Sequence, residues 1–231
     1  MRAAVVLFPG LNAETEMARA LRTVSGAEVA IVWHTDTSLP KGVDVVAIPG
    51  GFSYGDYLRC GAIAKVSPIC EAIRSHADAG GFVLGVCNGF QILTEMGLLP
   101  GALTRNAQLR FECRDIHVRI DAEGPFTKAV GSRLTLPIAH AEGCYTADVE
   151  LVKRLEGEGR IAFRYCDAAG SISASTNPNG SVGDIAGIYG GSKKNILGLM
   201  PHPERAVEPA MGSTSGTEIF GTIRQTIAAR A

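Results

Sequence analysis

No stretch of the 231-residue sequence approaches the roughly 20 consecutive apolar residues that a bilayer-spanning helix requires. The first residues, Met1 to Phe8, read as a short strand carrying one Arg. The longer apolar region and cleavage pattern of a signal peptide are missing, so a cytoplasmic protein is expected. There is no polybasic run, and 22 basic residues stand against 23 acidic ones for a net charge of −1. Nucleic acid and anionic membrane are therefore poor partners for this surface. Six cysteines are present but none form a CxxC pair, which argues against a zinc site and a thioredoxin-like centre; no metal is expected. A Gly-rich phosphate loop ending in Lys-Ser or Lys-Thr is also absent, so no ATP site is expected in this chain. Charged residues make up only 19% and hydrophobic ones 46%, enough apolar material for a sizeable core and too much for a disordered chain.

What is present is an alternation of short apolar runs and helical patterns. Arg2 to Phe8 is a strand closed by Pro9-Gly10. Met17, Ala18, Ala20, Leu21 and Val24 recur at helical spacing within 13–24, with Glu14 and Glu16 suited to a helix start. Strands are expected at 28–33, 44–48 and 82–86, and helices at 62–77, 88–96 and 217–228. Strands covered on both faces read as continuous apolar runs, so this order implies a mainly parallel sheet with helices on both sides. From about 116 to 199 the character changes to short β-like runs (116–120, 134–139, 161–165, 185–189, 196–199) separated by Gly, Asn and Pro. These are expected to be partly antiparallel and to extend the same sheet. No linker, repeat or low-complexity segment divides the chain, so one domain over 1–231 is expected.

The sharpest local feature is Gly85-Val86-Cys87-Asn88-Gly89, set where a strand meets a helix. A strand–turn–helix elbow of the form G-x-nucleophile-x-G needs small residues on either side of a tight turn and lifts the nucleophile above the carboxyl edge of a sheet. A helix N-terminus there favours a thiolate. The competing reading is a buried cysteine in a Gly-rich turn. A thiolate needs a histidine partner. Of five histidines, His202 sits in Pro201-His202-Pro203-Glu204, stiffened by proline on both sides. In an extended chain i and i+2 project to one side, which puts Glu204 beside the His202 ring. His140-Ala141-Glu142 is a rival His-x-Glu pair. Acyl transfer also needs N–H donors for the oxyanion. Asn88 N–H follows the nucleophile, and Gly51 N–H lies in the Pro49-Gly50-Gly51-Phe52 turn. The run from Gly50 to Tyr57 is long for a plain loop, aromatic, and carries one acid.

These residues resemble a known family. The Cys elbow, the late His-x-Glu and the upstream Gly-Gly loop are similar to the class I (triad) glutamine amidotransferases. GGFSYGDYLRCGAIA (50–64), GVCNGFQIL (85–93), IAHAEGCY (138–145), MPHPERA (200–206) and VLFPGLN (6–12) resemble the glutaminase subunits of phosphoribosylformylglycinamidine synthases. The resemblance implies a flavodoxin-like open sheet, with Cys87 as nucleophile, His202 as proton carrier and Glu204 as its orienting acid. It implies Gly51 and Asn88 as oxyanion donors, and Gln91, Arg110 and Phe111 as residues of the glutamine pocket. It implies no cofactor in this chain. ATP and Mg are expected on a large synthetase subunit that receives ammonia from this one, with a small bridging subunit in the same complex. A free glutaminase would waste glutamine, so low activity in the isolated chain and activation by the partner are expected. Two other readings stay open on the residues alone: a cysteine hydrolase or stress protein on a similar sheet, and a non-catalytic scaffold subunit.

Overall fold

The computed structural model describes residues 1–230. The chain runs β1 (Arg2–Leu7), α1 (Glu14–Thr23), β2 (Glu28–Trp33), β3 (Val45–Ile48), α2 (Ile69–Asp78), β4 (Phe82–Val86), α3 (Asn88–Glu95), β5 (Ala102–Thr104), β6 (Glu112–Ile120) and β7 (Arg133–His140). It continues through β8 (Cys144–Thr146), α4 (Val149–Gly157), β9 (Ile161–Cys166), β10 (Ile185–Gly190), β11 (Ile196–Leu199) and α5 (Gly216–Ala228). Nine strands form one sheet in the order β2-β1-β3-β4-β11-β10-β9-β6-β7, and β5 and β8 make a separate antiparallel pair.

The sheet has two halves of different physical character. From β2 to β11 every pairing is parallel. From β11 to β7 every pairing is antiparallel. Burial follows the position of each strand. β3, β4 and β11 are buried along their whole length, as strands covered on both faces must be. β7, at one edge, alternates between buried and half-buried residues from Leu134 to His140, the period-2 pattern of a strand with one covered face. β2, at the other edge, leaves Ile31 and Trp33 about half exposed. The mainly parallel α/β class with antiparallel strands in the second half is the fold read from the sequence.

Three details differ from that reading. The helix expected over 62–77 begins only at Ile69. Pro68 disfavours helical geometry in the residue before it, and Ser67 is extended (φ −69°, ψ 143°); the preceding segment makes only a short 3-10 turn at Ala64–Val66 and leaves Val66 exposed. The second half contains a helix as well as strands. α4 is capped by Asp148, whose Oδ1 accepts from Leu151 N–H at 2.7 Å. Finally, β6 starts four residues before the expected 116, because its largely exposed first residues, Glu112 to Asp115, are held by pairing to β7 and not by apolar burial.

The parallel strands β1, β3, β4 and β11 present their carboxyl ends along one edge. The turns after them carry Pro9-Gly10, Gly50-Gly51, Cys87 and His202. β7 runs in the same sense at the end of the antiparallel half. Although it is five places from β4 in the sheet order, the sheet curls enough for Pro137 C=O to accept from His202 N–H at 2.8 Å.

Candidate active site

Cys87 occupies the turn between β4 and α3 with φ 52° and ψ −106°. A non-glycine residue at positive φ costs on the order of 1–3 kcal/mol and persists only where the surroundings impose it. Here they do. Cys87 N–H donates to Leu199 C=O of the neighbouring strand at 2.8 Å, and Gln91 N–H donates to Cys87 C=O at 3.1 Å as α3 begins. Gly89 is a packing requirement of the same turn, since a Cβ there would collide with Ile48 C=O at the end of β3. The result is a cysteine only 4% exposed, at the floor of a cleft of about 320 Å³.

His202 and Glu204 come from the turn after β11. Nδ1 of His202 and Oε1 of Glu204 are 2.6 Å apart, and both side chains are buried. Gly50 brings this pair and the thiol to one place. A Cβ at Gly50 would sit 2.6 Å from His202 Cε1 and 3.3 Å from the Cβ of Cys87. Nε2 of His202 is buried with no hydrogen-bond partner, and Cys87 is near enough to act on the charge of the ring. Burial by itself disfavours a charged imidazole. The Glu204 carboxylate and the Cys87 sulfur outweigh it, and His202 is held protonated well above the usual histidine range. The thiol also lies 3.8 Å from Ala139 C=O, near the end of β7.

The N–H groups of Gly51 and Asn88 donate to no group among the described residues. Gly51 lines the cleft and Asn88 opens α3 directly after the cysteine. The Asn88 side chain is fully buried. It accepts from Ser53 N–H at 3.1 Å and donates to Gln91 Oε1 at 2.7 Å and Asp56 Oδ1 at 3.3 Å, tying the elbow to the 53–56 turn.

Gln91 also lines the cleft. Its amide accepts from Asn88 and donates to Glu142 C=O at 2.6 Å, so it fixes the wall of the cleft through both ends. Arg110 and Phe111 are not brought to the cleft. Arg110 is exposed and faces Glu112 across 4.0 Å, and Phe111 is half exposed. Arg105, Asp56, Cys60 and Glu142 take wall positions that sequence reasoning does not assign to them. Asp56 is the single acid of the long 50–57 loop and Glu142 the acid of the rival His-x-Glu, whereas no local pattern marks Arg105. Burial raises the Asp56 carboxyl and the nearby Glu142 charge adds to this, while hydrogen bonds from Cys60 and Asn88 pull the other way.

The rival His140/Glu142 pair does not form. His140 points Nδ1 at Asn106 Oδ1, 3.1 Å away, while Glu142 lies 3.5 Å from Cys60 N–H and 3.8 Å from Arg105. Burial, then the positive charge of His202, lowers His140 to about 4, so it is neutral at physiological pH. Among the described residues no cluster of three His, Cys, Asp or Glu side chains could hold a metal ion. No helix there is long and apolar enough to cross a membrane.

This geometry can be set beside known proteins. Residues 1–223 match the CobB/CobQ-like glutamine amidotransferase domain. The phosphoribosylformylglycinamidine synthase subunit PurQ of Bradyrhizobium diazoefficiens is 56% identical over 97% of each chain. The corresponding subunit of Rhodospirillum rubrum is 51% identical over 98% of this chain and all of its own. Among solved structures, a chain of PurLQS from Thermotoga maritima superposes with a TM-score of 0.84 at 37% identity, covering 97% of both chains. With matches of this extent, the chain belongs to the CobB/CobQ-like glutamine amidotransferase domain family, among the PurQ subunits of phosphoribosylformylglycinamidine synthase.

Proposed function

We propose that this chain acts as one glutaminase domain: it hydrolyses glutamine at Cys87 and hands the ammonia to a synthetase subunit that converts formylglycinamide ribonucleotide to formylglycinamidine ribonucleotide. One observation carries the reading of the site: a strained cysteine at a helix start, beside a histidine kept protonated by a buried carboxylate, at the floor of an open cleft. A protonated imidazole next to a thiol favours the thiolate–imidazolium pair, the reactive form of the nucleophile.

The steps follow from the atoms present. The Cys87 sulfur attacks the side-chain carboxamide carbon of glutamine. Charge developing on the carboxamide oxygen is met by Gly51 and Asn88 N–H, two donors without a partner among the described residues. His202 gives its proton to the departing ammonia, leaving a γ-glutamyl thioester on Cys87. Water, deprotonated by His202, then hydrolyses the thioester to glutamate and restores the thiol. Glu204 fixes the ring with Nε2 toward the sulfur and stabilises its charged form.

The ATP-dependent half of the reaction belongs on the large synthetase subunit with its Mg, and a small bridging subunit completes the complex, in line with the similarity to a chain of PurLQS from Thermotoga maritima. The absence of a phosphate loop here is consistent with that division, and a role in purine biosynthesis goes with a cytoplasmic location. The test uses the assembled complex. Cys87→Ala should cut glutamine-dependent product formation by more than about 10³-fold while leaving the ammonia-dependent reaction intact. Unchanged glutamine-dependent synthesis would mean that this chain is a scaffold only.

A further inference from the structure

The cleft contains a second buried histidine that the steps above leave unused. Its protonation state can be worked out atom by atom. Asn106 is fully buried, and its side-chain nitrogen lies 2.9 Å from each of two carbonyls, Arg110 C=O and His140 C=O. Both neighbours are acceptors, so that atom must be the amide NH2. Its oxygen receives Gly143 N–H at 2.9 Å, which fixes the amide orientation independently. The same oxygen lies 3.1 Å from His140 Nδ1. An amide oxygen only accepts, so Nδ1 carries the proton. Nε2 of the neutral ring is then a bare lone pair. It is buried without a partner on a side chain only 3% exposed, in a residue that lines the same cleft as Cys87. A buried acceptor left unpaired is unfavourable unless something fills it.

We propose that Nε2 of His140 accepts a hydrogen bond from the side-chain NH2 of bound glutamine and so selects a carboxamide over a carboxylate. This rests on the glutaminase reading and adds to it a residue that sets specificity. The donors Gly51 and Asn88 take the carboxamide oxygen, and a fixed acceptor takes its nitrogen, so the amide is bound in one orientation. The product glutamate has no N–H at that position, and its carboxylate oxygens face a lone pair. His140 therefore also favours release of the product. The two charge states reinforce each other: after burial, the positive charge of His202 is itself a cause of the neutrality of His140.

The test compares two substrates in the assembled complex, glutamine and the γ-methyl ester of glutamate, which reacts at the same thiol but has no amide N–H. In His140→Phe, kcat/KM for glutamine should fall about tenfold, while that for the ester changes by less than about threefold. Equal losses on both substrates, or none on either, would overturn the assignment. A measurement on the wild type stands even if the variant does not fold: glutamate should inhibit with a Ki at least about tenfold above the KM for glutamine. Equal affinity for the two would overturn the proposal as well. A wild-type complex that turns over neither glutamine nor ester would overturn the glutaminase reading, and this proposal with it.

Discussion

The two His-x-Glu segments have the same pattern in sequence and opposite fates in the fold. His202-Pro203-Glu204 follows β11 in a proline-initiated 3-10 turn, and the histidine and the acid meet at 2.6 Å in the protein interior. His140-Ala141-Glu142 ends β7, where Asn106 takes the ring and Glu142 turns toward Cys60 and Arg105. One ring is charged because the carboxylate on its Nδ1 outweighs burial. The other is neutral because burial and the charge of His202 act on a ring whose Nδ1 faces an uncharged amide oxygen. The partner of Nδ1 decides the chemistry of Nε2, and sequence spacing does not name that partner.

Replacing the partner is the most direct way to break the contrast. Glu204→Gln leaves the ring without its counter-charge, and glutaminase activity of the complex should drop about 10³-fold. The same change should appear in stability. A histidine raised above its unfolded value contributes stability that is complete below pH about 6.5 and lost as pH rises through its folded value. The wild-type melting temperature should therefore fall in the alkaline range, and the Glu204→Gln variant should show a weaker fall there. Parallel pH profiles for the two proteins would refute the ion pair.

A smaller effect is expected from making the second site resemble the first. Asn106→Asp puts an acid beside His140 Nδ1, so NMR titration should find that histidine well above its lowered value of about 4. A carboxylate cannot donate to Arg110 C=O and His140 C=O, so the variant should also lose about 2 kcal/mol of stability by denaturant unfolding. A ring that stays neutral in a stable variant would show that Asn106 does not control it.

The smallest effect concerns the cleft wall. Asp56 is raised by burial, so its ionised form is a liability at neutral pH that disappears as pH falls through the folded value. Asp56→Asn should raise the melting temperature slightly at pH 7, and the gain should vanish in acid. Residue 56 has φ 55°, a backbone conformation Asn adopts readily, so no new strain is introduced. A loss of stability at pH 7 would show that Asp56 makes a charge contact that outweighs its burial.

Much of the fold is legible in the sequence because its signals are local. β1, β3, β4 and β11 are unbroken apolar runs, and their burial follows from that. The Cys87 elbow is five consecutive residues, and His202 is flanked by prolines with Glu204 directly after them. α4 gives a weaker signal because its apolar stripe is thin, with Leu155 its only buried residue. Apolar spacing alone overextends the 62–77 helix, since it ignores what Pro68 does to Ser67. Resemblance points to Arg110 and Phe111 for the pocket, whereas Arg105, five residues before Arg110, is the one on the cleft wall.

The positions of the main strands, the elbow and the chemistry of each functional group were determined by the sequence itself, since backbone sterics and apolar periodicity act between near neighbours. The tertiary structure alone decided that β7 curls round to set Pro137 against His202 and Ala139 against Cys87, and that Asn106 holds His140. Those contacts join residues dozens of positions apart. Their energy depends on which buried donors find acceptors once the sheet has closed over the cleft, and no local pattern encodes that.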